Sequence, residues 1–186
     1  TPAAADSTTA CRPTVSGDLR LHTLESRTFG NSRTIRVLLP PGYDAPENQS
    51  RRYPVLYLLD GQNLFDACLS DVSHHEWGVD ETMEMLGYEE GLEAIIVGVP
   101  NSGRHRVDEY SPFHERRLGG GRGDDYLRFL IETLKPQIDA SFRTLPTRRY
   151  TGLMGSSMGG LIALYGFFRF PAAFGFAGVM SPSLWF

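Results

Sequence analysis

Uninterrupted apolar runs, rather than alternation, mark the middle of the chain. Pro54 to Leu59 reads Pro-Val-Leu-Tyr-Leu-Leu, and Ala94-Ile95-Ile96-Val97 lies inside a second such run at Leu92–Val99. Runs of this length and kind predict strands covered on both faces. Upstream, Leu19–Phe29 and Thr34–Leu39 read as two strands joined at the turn residues Gly30-Asn31-Ser32, a hairpin pattern. Pro40-Pro41-Gly42 stops the second strand, and 43–52 is a polar loop. Helix formers over 79–87 end at Gly87, a predicted C-cap. From Asp124, a capping residue, Tyr126, Leu127, Leu130, Ile131 and Leu134 make one apolar helical stripe that Pro136 is expected to kink or end. Tyr150–Met154 predicts a short strand, Leu161–Phe168 a helix apolar nearly all round, and Phe176–Met180 a last strand.

Buried strands alternating with helices predict an α/β fold, a mostly parallel sheet with helices on both faces and an antiparallel N-terminal hairpin. Residues 1–18, rich in Ala, Thr, Ser and Pro toward their start, are expected to form a flexible arm. Residues 19–186 are expected to belong to a single domain, with no internal repeat.

Composition narrows the function. The net charge of −4 argues against a nucleic-acid surface, which needs a clustered basic face. No apolar run reaches the roughly 20 residues of a membrane-spanning helix. Cys11 and Cys68 permit one disulfide without establishing it. The start Thr1-Pro2-Ala3-Ala4-Ala5 fits a mature N-terminus after signal removal, or a trimmed one, so secretion or periplasmic location is expected with cytoplasm as the alternative.

The chemistry concentrates in Gly155-Ser156-Ser157-Met158-Gly159, which fits the G-x-S-x-G nucleophile elbow with Ser157 as nucleophile. In a chain with 20 Gly the bare pattern arises by chance roughly 0.16 times. A strand before it, an apolar helix after it and Gly160 as a further small residue separate it from an ordinary Gly-rich turn. A serine hydroxyl needs an adjacent base to attack, and the resulting oxyanion needs backbone donors. The amide of Met158 is one expected donor. The loop after the strand ending at Asp60 supplies the other, with Gln62 as the candidate. The 29 residues after Ser157 hold no Asp, Glu or His, whereas the triad acid and base follow the nucleophile in chain order in α/β-hydrolases. Both are therefore expected beyond residue 186 or on a C-terminal chain completing the domain, and this fragment alone is expected to be inactive.

Four ordered blocks, Tyr53–Asp66 (YPVLYLLDGQNLFD), Val99–Pro112 (VPNSGRHRVDEYSP), Gly155–Leu161 (GSSMGGL) and Ser181–Trp185 (SPSLW), resemble the esterase D and enterochelin-esterase-like family of α/β-hydrolases over about residues 20–186. The resemblance implies a serine carboxylester hydrolase working through an acyl-enzyme on Ser157, with Gln62 and Met158 as oxyanion donors, a small-molecule ester as substrate and no cofactor. It leaves open an acyltransferase of the same fold, and the missing base leaves open a non-catalytic fragment or binding module. Asp60 departs from the family, where many members carry His before the Gly.

Other residues divide between chemistry and structure. Trp77, Asp80 and Glu81 match a region lining the cleft in relatives, so Trp77 is a candidate for stacking on a substrate ring, set against packing at the core edge. Arg106 is a candidate for an anionic substrate group, set against an internal Arg–Glu pair with Glu109 bracing its loop. His74-His75 with Asp71 and Glu76 read as a solvated loop more than a metal site, and His105 and His114 as polar-loop residues more than an unusual base. Gly119–Gly123 lacks the Gly-Lys-Ser/Thr of a phosphate loop and reads as a lid or connector. Arg122-Gly123-Asp124, an adhesion tripeptide by spelling, carries no weight.

Overall fold

A computed structural model describes residues 11–72 and 74–186. Strand β1 (Asp18–Ser26) pairs antiparallel with β2 (Asn31–Leu39), the expected hairpin with its turn drawn back to residues 27–30. Strands β3 (Val55–Leu59) and β4 (Ile95–Val99) then run parallel to each other in the centre of a six-stranded sheet. A two-residue ribbon, β5 (His114–Glu115) with β6 (Gly119–Gly120), stands apart from that sheet. Strands β7 (Thr151–Ser156) and β8 (Phe176–Met180) extend it in parallel, giving the order β1-β2-β4-β3-β7-β8.

The apolar runs work as double-sided strands. Val55, Tyr57, Leu59, Ile95, Val97, Val99 and Leu153 point into the larger core, shared with the helices downstream of β4. Their sequence neighbours Leu58 and Ile96 point to the opposite face, where Val79 and Met83 of α1 (Val79–Glu90) cover them. Side chains alternate across a strand, so only a run apolar at every position serves both layers. Helices thus lie on both faces, as the sequence implied.

Four local expectations are corrected. Helix α1 runs through Gly87 to a left-handed cap at Gly91 (φ 64°), because the chain continues in helix formers Tyr88-Glu89-Glu90 before a glycine able to adopt that conformation. Asp124 does not cap the next helix. In α3 (Gly123–Arg128), which follows the short α2 (Arg106–Tyr110), the Asp124 carboxylate instead accepts from the Tyr165 hydroxyl at 3.0 Å. Pro136 neither ends nor breaks the path. Residues Phe129–Leu134 form a π-helical segment that runs without a break into α4 (Lys135–Ser141), and the wider turn there accommodates Pro136, the second residue of α4, although it offers no N–H to the helix. Finally, residues 11–16 of the expected arm are tethered to the body of the fold; residues 1–10 lie outside the described residues. Cys11 is disulfide-bonded to Cys68, the Ser16 amide donates to Asp80 Oδ2 at 2.7 Å, and Thr14 Oγ1 accepts the Ala67 amide at 2.9 Å. No described helix is long and apolar enough to cross a membrane.

Candidate active site

The turn from β7 into α5 (Met158–Arg169) bends sharply at Ser157, whose φ of 57° and ψ of −119° lie outside the regions an L-residue prefers. Two contacts show how the turn closes. A Cβ on Gly155 would sit 2.6 Å from the Gly159 backbone, and one on Gly160 would meet the Met180 carbonyl at 2.9 Å. Side chains at either position would force strand and helix apart. Three hydrogen bonds fix the Ser157 backbone: its amide donates to Met180 O, and its carbonyl accepts from the Leu161 and Ser183 amides, each at 3.0 Å. Ser157 is exposed.

Ser157 opens into a cleft of about 180 Å³ at the C-terminal ends of β3 and β7. Ligands of open α/β sheets bind at this end. Leu58, Leu64, Val72, Met154 and Met180 make its walls apolar, while Trp77, Asp60 and Arg106 also line it. A larger cavity of about 340 Å³ lies between the loop after β2 and α1 and is lined by no serine, threonine or cysteine.

The sequence candidates fall out unevenly. Ser157, Trp77 and Arg106 meet in the cleft. Trp77 is about half exposed, with its amide donating to Asn63 O at 3.0 Å, so its ring has a free face. The side chains of Gln62 and Met158 do not line the cleft, and the role expected of them needs only their amides. Met158 is the first residue of α5, where an amide has no partner within the helix. Gln62 lies in the single 3₁₀ turn Gly61–Asn63 directly after β3. Its side chain braces this turn, donating to Asp71 Oδ2 at 3.0 Å and accepting from the Asn101 amide at 3.2 Å.

Arg106 is internally braced, but its partner is Asp60 and not Glu109. Its guanidinium donates through Nε to Asp60 Oδ1 at 2.7 Å and through Nη2 to Oδ2 at 2.8 Å, and Asn101 Nδ2 adds a third bond at 2.7 Å. Hydrogen bonding to Asp60 raises the Arg106 pKa above its ordinary value despite partial burial. Glu109 is taken by Arg33 of β2 in a buried bidentate pair, which anchors α2 beneath the cleft. The Tyr110 hydroxyl accepts the Asp60 amide at 3.1 Å, and complete burial pushes that phenol well above the usual range. Asp60 itself adopts a left-handed conformation (φ 57°), and its Oδ2 comes within 3.4 Å of where a Cβ on Gly159 would sit. The residue that departs from the family pattern is thus the hub of the cleft wall.

Other candidates sit elsewhere. Asp80 lines the larger cavity, not the Ser157 cleft, and Glu81 lies exposed in the first turn of α1. His105 pairs with Asp108 at 3.3 Å, and His114 lies against Gly120 O in the β5–β6 ribbon; neither lines the Ser157 cleft. The glycine-rich 119–123 segment forms that ribbon and the start of α3, with the Gly120 amide donating to Asp108 Oδ1. Among the described residues no group of His, Cys, Asp and Glu is arranged to hold a metal ion.

Sequence reasoning missed the Asp60–Asn101 bond and the contact between Ser183 and Ser157. The hydroxyl of Ser183, a buried residue, lies 3.0 Å from Ser157 Oγ. Its only signal in the sequence was its place in the block Ser181–Trp185.

Residues 26–186 match the model of a family described as "Putative esterase". The chain is 28% identical over 170 residues to uncharacterized protein YbbA of Bacillus subtilis, covering 88% of this chain and 61% of that protein. It is 26% identical over 162 residues to the siderophore triacetylfusarinine C esterase of Aspergillus fumigatus, covering 84% of this chain and 53% of the esterase. The chain therefore spans little more than half the length of these relatives. The crystal structure of an IroE-like serine hydrolase from Shewanella oneidensis superposes with a TM-score of 0.73 at 27% identity, over 90% of this chain and 52% of that one.

Proposed function

The chain belongs to this esterase family, and on that premise we propose that it is the nucleophile-bearing part of a serine carboxylester hydrolase working through an acyl-enzyme. The observation that carries the reading is Ser157: an exposed hydroxyl on a strained strand-to-helix turn, at the mouth of an apolar cleft. In this reading Ser157 Oγ attacks the ester carbonyl while its proton passes to a base. The tetrahedral oxyanion takes hydrogen bonds from the amides of Met158 and Gln62. Collapse expels the alcohol, and water then releases the acid and frees Ser157. The base and its orienting acid belong to the part of the enzyme after residue 186, so that this chain by itself holds an unactivated serine. The serine-hydrolase name of the Shewanella structure and the esterase name of the Aspergillus relative support the assignment.

The substrate in this reading is a small ester whose acyl part fits a narrow apolar cleft beside Trp77. A secreted or periplasmic location belongs to the same reading and is supported by the Cys11–Cys68 bond, since disulfides persist in oxidising compartments. The test is labelling of the complete protein with a fluorophosphonate probe. The wild type is expected to label and Ser157→Ala to lose the label; equal labelling of both would overturn the assignment.

A further inference from the structure

We propose that Ser183 is a positioning residue for the nucleophile: its buried hydroxyl donates a hydrogen bond to Ser157 Oγ and leaves the Ser157 proton directed at the base. The inference rests on the reading of Ser157 as nucleophile and assigns a partner to it.

Residues 180–183 are built around Ser157. Met180 O accepts its amide and the Ser183 amide donates to its carbonyl, so backbone bonds from this segment grip Ser157 on both sides. To bring Ser183 back after β8, Ser181 takes a left-handed φ of 40°, which a non-glycine residue adopts only at a cost, and Pro182 follows with its φ fixed by the ring. The close approach depends on Gly160, where a Cβ would sit 2.9 Å from Met180 O and 3.3 Å from Pro182 Cα. Strain and a missing side chain are thus concentrated on seating one residue. That residue has a two-atom side chain whose oxygen lies 3.0 Å from the nucleophile. Ser183 is 2% exposed while Ser157 is open to the cleft, so bulk water competes little for the Ser183 hydroxyl.

A serine hydroxyl has one proton and two lone pairs. With Ser183 as donor, one lone pair of Ser157 Oγ is engaged, its χ1 is held, and its own O–H remains free to be taken by a base. As that proton leaves, the same bond strengthens onto the developing negative charge, because hydrogen bonds to ionised acceptors are the stronger kind. With Ala at 183 the seryl side chain loses this restraint, while the cleft walls that contact the acyl group are unchanged.

The complete protein carrying Ser183→Ala is expected to react with a fluorophosphonate about tenfold more slowly, the size expected for one lost hydrogen bond in the transition state. In the burst phase with a p-nitrophenyl ester, its acylation rate constant should fall by the same factor with the substrate dissociation constant unchanged. Should the alanine variant fail to fold, Ser183→Cys keeps a weak donor in place of a strong one and should show a smaller loss in the same acylation step. A labelling rate within twofold of wild type, or weaker substrate binding at a constant acylation rate, overturns the proposal. Loss of label in Ser157→Ala shows separately that the underlying reading stands; retention of label there removes that reading whatever Ser183 does.

Discussion

The two walls of the Ser157 cleft are made by opposite means. The elbow is built from side chains that are absent: Gly155 and Gly160 let β7, α5 and the segment after β8 close to distances that a Cβ would forbid. The side lined by Asp60 and Arg106 is braced by charge. Asp60 joins Arg106 across 46 positions in sequence, and beneath them Arg33 joins Glu109 across 76. A glycine turn is specified by its own few residues, whereas an ion pair requires the fold to bring its halves together. The elbow therefore tolerates almost no substitution and is local. The charged wall is distributed and responds to the loss of any partner.

This contrast can be broken most forcefully at Glu109. Glu109→Ala leaves the buried Arg33 guanidinium without its partner and is expected to cost about 3–5 kcal/mol, measured by urea denaturation. A loss under about 1 kcal/mol would mean that water reaches Arg33 and that the wall is not held by this pair. Gly155→Ala is expected to cost less in stability, about 1–3 kcal/mol from overpacking, yet to cut fluorophosphonate reactivity of the complete protein more than any wall substitution. Unchanged reactivity would show that the elbow has slack.

Arg106→Met keeps an aliphatic stem but removes two of the three side-chain donors that the described residues give the Asp60 carboxylate, leaving Asn101. Arg106 is partly exposed, so the expected stability loss is about 1 kcal/mol, with a larger fall in kcat/KM as the turn carrying Gln62 loosens. Activity equal to wild type would make the pair a purely structural brace.

The smallest effect is expected from a carboxylate outside both walls. Burial, with Glu81 beside it, raises the Asp80 pKa to about 6 from 3.8. Its folded form binds the proton more tightly than the unfolded chain. The resulting destabilisation is thus fully present above pH 6 and fades as pH falls toward 4. Asp80→Asn should raise Tm at pH 7.5 by an amount corresponding to on the order of 1 kcal/mol, with the gain shrinking at pH 5. A gain that persists at pH 5 would assign the effect to packing instead of charge.

The same local-versus-distributed division explains what could be read from the sequence. The apolar runs at β3 and β4 and the elbow announced themselves, because double-sided burial and a strained turn each demand a local residue pattern. Gly87 misled because either it or Gly91 could cap α1, and only the end of the packed helix chooses between them. Pro136 misled because the π-helical segment before it has no signature separate from the apolar stripe. Arg106 was legible as a braced cation but not its partner, since Glu109, three residues away, was the nearer guess and Arg33 had already claimed it. Ser183 carried no chemical pattern at all. Its role follows from the path that returns the chain to Ser157 after β8.

The proposed reaction requires Ser157 to be the acylated residue. Peptide mapping by mass spectrometry, after the complete protein reacts with a fluorophosphonate, tests it directly. One adduct is expected, on Ser157, in the peptide spanning 150–169. An adduct on Ser156, or a labelled protein with Ser157 unmodified, would contradict it.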